Sequence, residues 1–127
     1  MIQQRTILKI CDNSGAKTVR CIKVLGGFKK QYAKLGDIII VSIQNLRNVS
    51  KKKIKLKKGE VYKALIVKTK LNCTKKDGTN FRFNENSAIL LNKQGSSLGT
   101  RITSTLPKSL KKKKFQKLIS ISAGIIP

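Results

Sequence analysis

CDNSGAKTVRCIKVLGG, residues 11–27, sets a knot of turn-formers between two apolar stretches. Asp12, Asn13 and Ser14 carry side chains that bond local backbone, and Gly15 accepts a positive φ. Before the knot, residues 6–11 carry Ile7, Leu8 and Ile10 and read as a strand. After it, residues 17–25 alternate, with Val19, Cys21 and Lys23 on one side and Arg20, Ile22 and Val24 on the other, which is the strand period. Gly26-Gly27 closes the run. The stretch is therefore a hairpin or strand corner, unless its two cysteines find metal or catalytic partners elsewhere.

Working outward, the strand pattern continues. Residues 28–37, FKKQYAKLGD, form a basic loop that holds Phe28 and Tyr32. The β-branched run IIIVSIQNL, 38–46, is the clearest strand of the chain. In residues 47–60 lysine alternates with Ile54 and Leu56, as in an exposed basic hairpin arm, and VYKALIVKTK, 61–70, is the next long strand. Asp77-Gly78 is a strong hairpin signal, and Phe81 and Phe83, two residues apart, place both rings on one side of the strand that follows. SAILLN, 87–92, is a short buried strand, and residues 93–103 read as loop, then edge. From Pro107 the spacing of Leu110, Phe115, Leu118 and Ile119 is roughly helical, with Pro107 in the first turn and an extended tail over 119–127. Five or six strands joined by tight turns predict a mainly β protein, a small closed barrel with short C-terminal helices. We expect one domain over residues 1–127, with the barrel in 1–103 and short helices and tail in 104–127.

Length and charge narrow the function. A chain of 127 residues suits one domain with a real core. Against 29 Lys and Arg stand 5 Asp and Glu, a formal net charge of +24, which drives a protein onto polyanions. The apolar runs at 38–41 and 64–67 fall far short of the roughly 20 residues that span a bilayer, and no presequence is legible at Met1, so membrane insertion is not expected. The three cysteines are odd in number and lack a CxxC, and there is no histidine, which argues against a disulfide frame or a zinc knuckle. We read them as structural thiols in reducing surroundings.

Catalysis is poorly supplied. Without histidine the commonest general acid/base is absent. Asp12, Asp37, Glu60, Asp77 and Glu85 each sit in or beside a turn, and no glycine–lysine spacing matches a phosphate-binding loop. We expect no enzyme, no catalytic residue, no cofactor and no metal. Nucleic acid has positive support in lysine clusters at 29–34, 51–58 and 108–117. Stacking on single strands needs open aromatics. Phe81 and Phe83 could supply a platform, but a small barrel needs large residues inside, so we assign them to the core. The expectation is shape and phosphate recognition of folded RNA. The alternative is a free-standing small-barrel nucleic-acid chaperone that binds single strands. The excess of lysine over arginine, 24 to 5, with abundant Ile and Asn, points to AT-rich codons and so to an organelle, mitochondrion first, or else a plastid or an AT-rich bacterium.

The motifs, taken together, resemble those of the L-fourteen ribosomal proteins of the large subunit, bacterial and organellar type. The family's DNSGA is matched at 12–16, its CIKVLGG at 21–27 and its YAxxGDII at 32–39. KKGEVYKALIVKTK at 57–70, Asp77-Gly78, Phe83, Asn86, Ile89-Leu90, GTRI at 99–102 and FQKLIS at 115–120 follow in the family's order. The chain departs from it at Phe28-Lys29-Lys30-Gln31, where the family has a more polar, Arg-rich quartet, at PKSLKKKKF (107–115) and in the final SAGIIP. The resemblance implies a five-stranded barrel bound to large-subunit rRNA at the subunit interface. It also implies a bridge to small-subunit rRNA and contacts with ribosomal protein families three and nineteen. A ribosome silencing factor can dock on the family's interface surface, and the residues implicated there match Thr100, Arg101 and Lys117. For rRNA contact the candidates are Lys17, Lys29, Lys30, Tyr32, Lys34, Arg47, Lys51, Lys52, Lys53 and Arg82.

Overall fold

The computed structural model describes residues 1–47, 55–113 and 115–127; Lys51, Lys52, Lys53 and the middle half of the expected basic arm, 48–54, lie outside the described residues. Strands β1 (Ile7–Ile10), β2 (Ala16–Val24), β3 (Ile38–Leu46), β4 (Val61–Lys68) and β7 (Ser87–Leu91) close a barrel in the order β1-β2-β3-β4-β7. Neighbours are antiparallel except β1 and β7, whose parallel pairing, Lys9 to Ser87 and Ile10 to Ala88, seals the barrel. Between β4 and β7, the short strands β5 (Cys73–Thr74) and β6 (Asn80–Phe81) form a separate hairpin around the Asp77-Gly78 turn. Gly78 takes φ +87, and Asp77 accepts hydrogen bonds from the backbone N and Oγ1 of Thr79 at 3.0 and 2.6 Å.

The barrel closes because β2 is long and irregular. Its pairing with β3 shifts register at Ala16/Thr18, Thr18/Val19 and Cys21/Lys23. Such bulges bend and twist a strand, as closing a small sheet requires. The last shift also corrects the simple alternation read from the sequence. Val24 is not on the Arg20 and Ile22 side but is buried with Val19 and Cys21, whereas Lys23 is exposed.

Two cores result. Inside the barrel, Leu8, Ile10, Val19, Cys21, Val24, Ile39, Val41 and Ile43 meet Ala64, Ile66, Ala88 and Leu90, and Leu56 is drawn into the same cluster. Outside it, Leu65, Val67, Ile89 and Leu91 pack against Ile102, Leu106, Leu110, Leu118 and Ile119. Consecutive residues of β4 and β7 thus serve opposite cores, which is why 64–67 and 88–91 are unbroken apolar runs. β3 buries only alternate positions fully.

The outer layer is built from β8 (Ile102–Pro107), a 3₁₀ turn (Lys108–Lys113), α1 (Gln116–Ser120) and β9 (Ser122–Ile126), with β8 and β9 parallel. The expected C-terminal helices are therefore one short α-helix and one 3₁₀ turn, and the extended tail is a paired strand. Pro107 does not open a helix. It ends β8 opposite Ile126, a strand-end position where its missing N–H costs no ladder bond. Phe81 and Phe83 are not core residues either. Both are half-buried outside the barrel with ring centroids 5.9 Å apart, edge to face, since aliphatic side chains fill the interior.

Candidate RNA interface

The turn that opened the sequence reading is a polar clamp. Asp12 is fully buried, and its carboxylate accepts the backbone N–H of Leu90 on β7 at 3.2 Å and that of Ser14 at 3.1 Å. Asn13 faces the other way. Its Oδ1 accepts the N–H groups of Thr100 and Arg101 at 2.8 and 3.1 Å, and its Nδ2 donates to Thr100 Oγ1 at 2.8 Å. A Cβ at Gly99 would meet Asn13 Oδ1 at 2.7 Å, so the neighbouring loop can lie this close only without a side chain there. Thr103 completes the seam by donating its N–H to the Cys11 carbonyl at 2.8 Å. DNSG thereby ties the barrel to the loop that carries Thr100 and Arg101.

Burial pushes the Asp12 carboxyl above its ordinary value, against the pull of the Ser14 and Leu90 hydrogen bonds and the positive charge of Arg47. The folded protein therefore holds this proton more tightly than the unfolded chain. The linked stability is fully present below the unfolded carboxyl value and is lost as pH rises through the folded one. Acidification from about pH 7 to about pH 4 is accordingly expected to raise the stability of the wild type relative to Asp12→Asn, which has no such proton. Urea midpoints at the two pH values measure this, and a wild-type midpoint that falls or stays constant relative to that of the variant contradicts it.

The other four acids also brace backbone or neighbouring side chains. Asp37 accepts the Lys34 N–H at 2.8 Å and pairs with Lys30 at 2.9 Å, and Glu60 accepts the Lys57 N–H and the Tyr62 hydroxyl, each at 3.0 Å. Glu85 takes Lys9 at 3.0 Å and Ser87 Oγ at 3.2 Å, while Asp77 holds its own hairpin turn. These hydrogen bonds keep the carboxyls of Glu60, Asp77 and Glu85 below their ordinary values. Cys11 and Cys21 are buried free thiols whose pKa burial raises, and Cys73 is half-buried and free. Among the described residues no group of three cysteine or acidic side chains converges as a metal site would need.

Cations face outward almost unopposed. Among the described residues only Lys9–Glu85 and Lys30–Asp37 form ion pairs. Lys17, Lys29, Tyr32, Lys34 and Arg82, five of the residues named for RNA contact, are exposed. Lys30 and Arg47 are turned to the scaffold instead. Lys30 holds Asp37, and the Arg47 guanidinium donates to the Ile10 carbonyl at 2.8 Å. Thr100, Arg101 and Lys117 are exposed at one end of the outer layer, where Ile102 pairs with Ser122 and so brings the start of β8 to the end of α1.

Sequence reasoning missed the open wall of the barrel. The cross-strand row Ile7–Arg20–Ser42–Val61 and the neighbouring row Lys23–Ile40–Lys63 combine basic and apolar side chains across β1 to β4. Only the pairing register, which no strand states alone, lines these residues up. Phe81 and Phe83, the platform considered for single strands, are only half-exposed. Lys75 Nζ lies 5.4 Å from the Phe81 centroid and Lys68 Nζ lies 5.6 Å from that of Phe83, so one face of each ring is covered.

A closed barrel whose few acids brace its own backbone and side chains, and whose cations far outnumber them, defines a small basic β-barrel protein of the class that polyanions attract. The family model for ribosomal protein L14p/L23e matches residues 1–126. The chain belongs to that family. It is a structural protein of the large ribosomal subunit and not an enzyme, with rRNA and ribosomal proteins as its class of partners. Among the described residues no helix is long and apolar enough to cross a membrane.

Proposed function

We propose that this chain binds folded large-subunit rRNA through phosphate and shape contacts made by Lys17, Lys29, Tyr32, Lys34 and Arg82, and by Lys51, Lys52 and Lys53, which lie outside the described residues. The observation that carries the proposal is the near-absence of internal partners for the cations, two ion pairs among the described residues against a net charge of +24. Thr100, Arg101 and Lys117 form a second surface, which meets small-subunit rRNA at a bridge and is open to a silencing factor. Asn13 holds the Thr100–Arg101 backbone in place. Neighbouring ribosomal proteins of families three and nineteen pack beside it, in a mitochondrial ribosome by our reading of the composition.

The test separates the two surfaces. Large subunits assembled with Arg101→Glu and Lys117→Glu are expected to contain the protein at the wild-type ratio of one copy each, yet to join small subunits less well in a sedimentation assay. Loss of the variant from the subunit itself, or joining at the wild-type level, refutes the bridge assignment. Absence of the wild-type protein from purified large subunits refutes the rRNA assignment.

A further inference from the structure

Phe28 stands at the tip of the β2–β3 loop with 94 % of its surface exposed, far more than any other large apolar side chain described. The loop that carries it is braced. Gly26 takes φ +101 and Lys29 takes φ +53, a region that side chains other than glycine occupy only when the surroundings enforce it. Lys30 is held on Asp37 at 2.9 Å, Asp37 accepts the Lys34 N–H at 2.8 Å, and Ala33 and Ile2 exchange backbone hydrogen bonds at 2.7 and 3.2 Å. These contacts fix the base of the loop while its ring is left in water. Lys29 Nζ lies 5.5 Å from the ring centroid, and Lys34 is exposed nearby in the chain.

We propose that Phe28 is a base-stacking anchor: its ring stacks on an unpaired base of the large-subunit rRNA while Lys29 meets an adjoining phosphate. The proposal rests on the rRNA reading above and adds to it a contact that carries no charge. A flat ring accepts any base on its face. A hydrophobic pocket on a protein would instead have to take in the Lys29 ammonium that accompanies the ring, so RNA is the favoured occupant. The braced loop means that little ordering is needed on binding.

Stacking and phosphate contact differ in their salt dependence, because only the latter releases counter-ions. With the full chain and the large-subunit rRNA transcript as probe, Phe28→Ala is expected to weaken binding about 5- to 150-fold at every salt concentration with the slope of log K against log salt unchanged. Phe28→Trp is expected to restore affinity. Lys29→Ala should instead lower the slope by roughly 0.7–0.9. In assembled large subunits, p-azidophenylalanine in place of Phe28 should crosslink to RNA upon irradiation. Crosslinking only to protein overturns the proposal in favour of a protein pocket. Wild-type binding that Phe28→Ala leaves intact overturns the stack alone, and a wild type without affinity for the transcript overturns the rRNA reading with it.

Discussion

Raising monovalent salt from about 50 to about 200 mM is expected to weaken binding of this chain to the large-subunit rRNA transcript by roughly 10³-fold or more. Each phosphate neutralised by Lys or Arg releases condensed counter-ions, and six to ten such contacts give a loss of roughly 10³–10⁵ over that interval. The exposed candidates Lys17, Lys29, Lys34 and Arg82, joined by Arg20, Lys23 and Lys63 on the open wall, make such a number available. The structure also says which lysines should not count. The Lys30 ammonium already has the Asp37 carboxylate at 2.9 Å, so Lys30→Ala should barely change the salt slope, whereas Lys34→Ala should lower it by roughly 0.7–0.9. Filter-binding titrations across salt give both numbers. A flat dependence, or equal slopes lost at Lys30 and Lys34, contradicts the assignment of charge to phosphate.

How far the sequence carried depends on whether a feature is local. The β3 strand was legible to its ends, Ile38 to Leu46, because a β-branched run after Gly36-Asp37 needs no partner to declare itself. The Asp77-Gly78 hairpin was legible for the same reason: its chemistry lies within the turn. The bulge after Cys21 was not, since it exists only as a mismatch between β2 and β3, and it sends Val24 inward against the period-two pattern. Pro107 was assigned to a helix because the pairing that holds it in a strand is with Ile126, near the far end of the outer layer.

The candidate site divides along the same line. Charge excess and lysine clusters are sums over the chain and survive any fold. Which cations stay available is decided by pairing, so Lys30 and Arg47 looked identical to Lys34 until Asp37 and the Ile10 carbonyl were placed beside them. Asn13 read as one more turn-former, yet its amide organises the Thr100–Arg101 loop, 87 and 88 residues away in sequence. Phe28 was read only as part of a basic loop, because an aromatic there looks the same whether it packs or projects, and its 94 % exposure distinguishes the two.

The largest stability effects are expected from a pair of neighbours that ordinary strand logic would treat differently. Leu65 and Ile66 are adjacent on β4 and both fully buried, Leu65 in the outer core with Leu106 and Leu110, Ile66 in the barrel interior with Ile39 and Leu90. On a sheet with one wet face, one of two consecutive residues would be nearly free to change. Here Leu65→Ala and Ile66→Ala are each expected to cost about 2–5 kcal/mol in denaturant unfolding, the range for emptying a packed aliphatic site. Ile22→Ala, on the open wall and 44 % exposed, should stay within about 0.5 kcal/mol. A cost below about 1 kcal/mol for Leu65→Ala would mean that the β8–β9 layer does not seal the barrel. That layer also carries Lys117 on α1, and its first strand follows directly on Thr100 and Arg101, which Asn13 ties to the barrel. The packing that makes β4 apolar on both faces is therefore the same packing that fixes where the proposed interface residues stand. A destabilised outer core should loosen subunit joining before it loosens rRNA binding by the open wall.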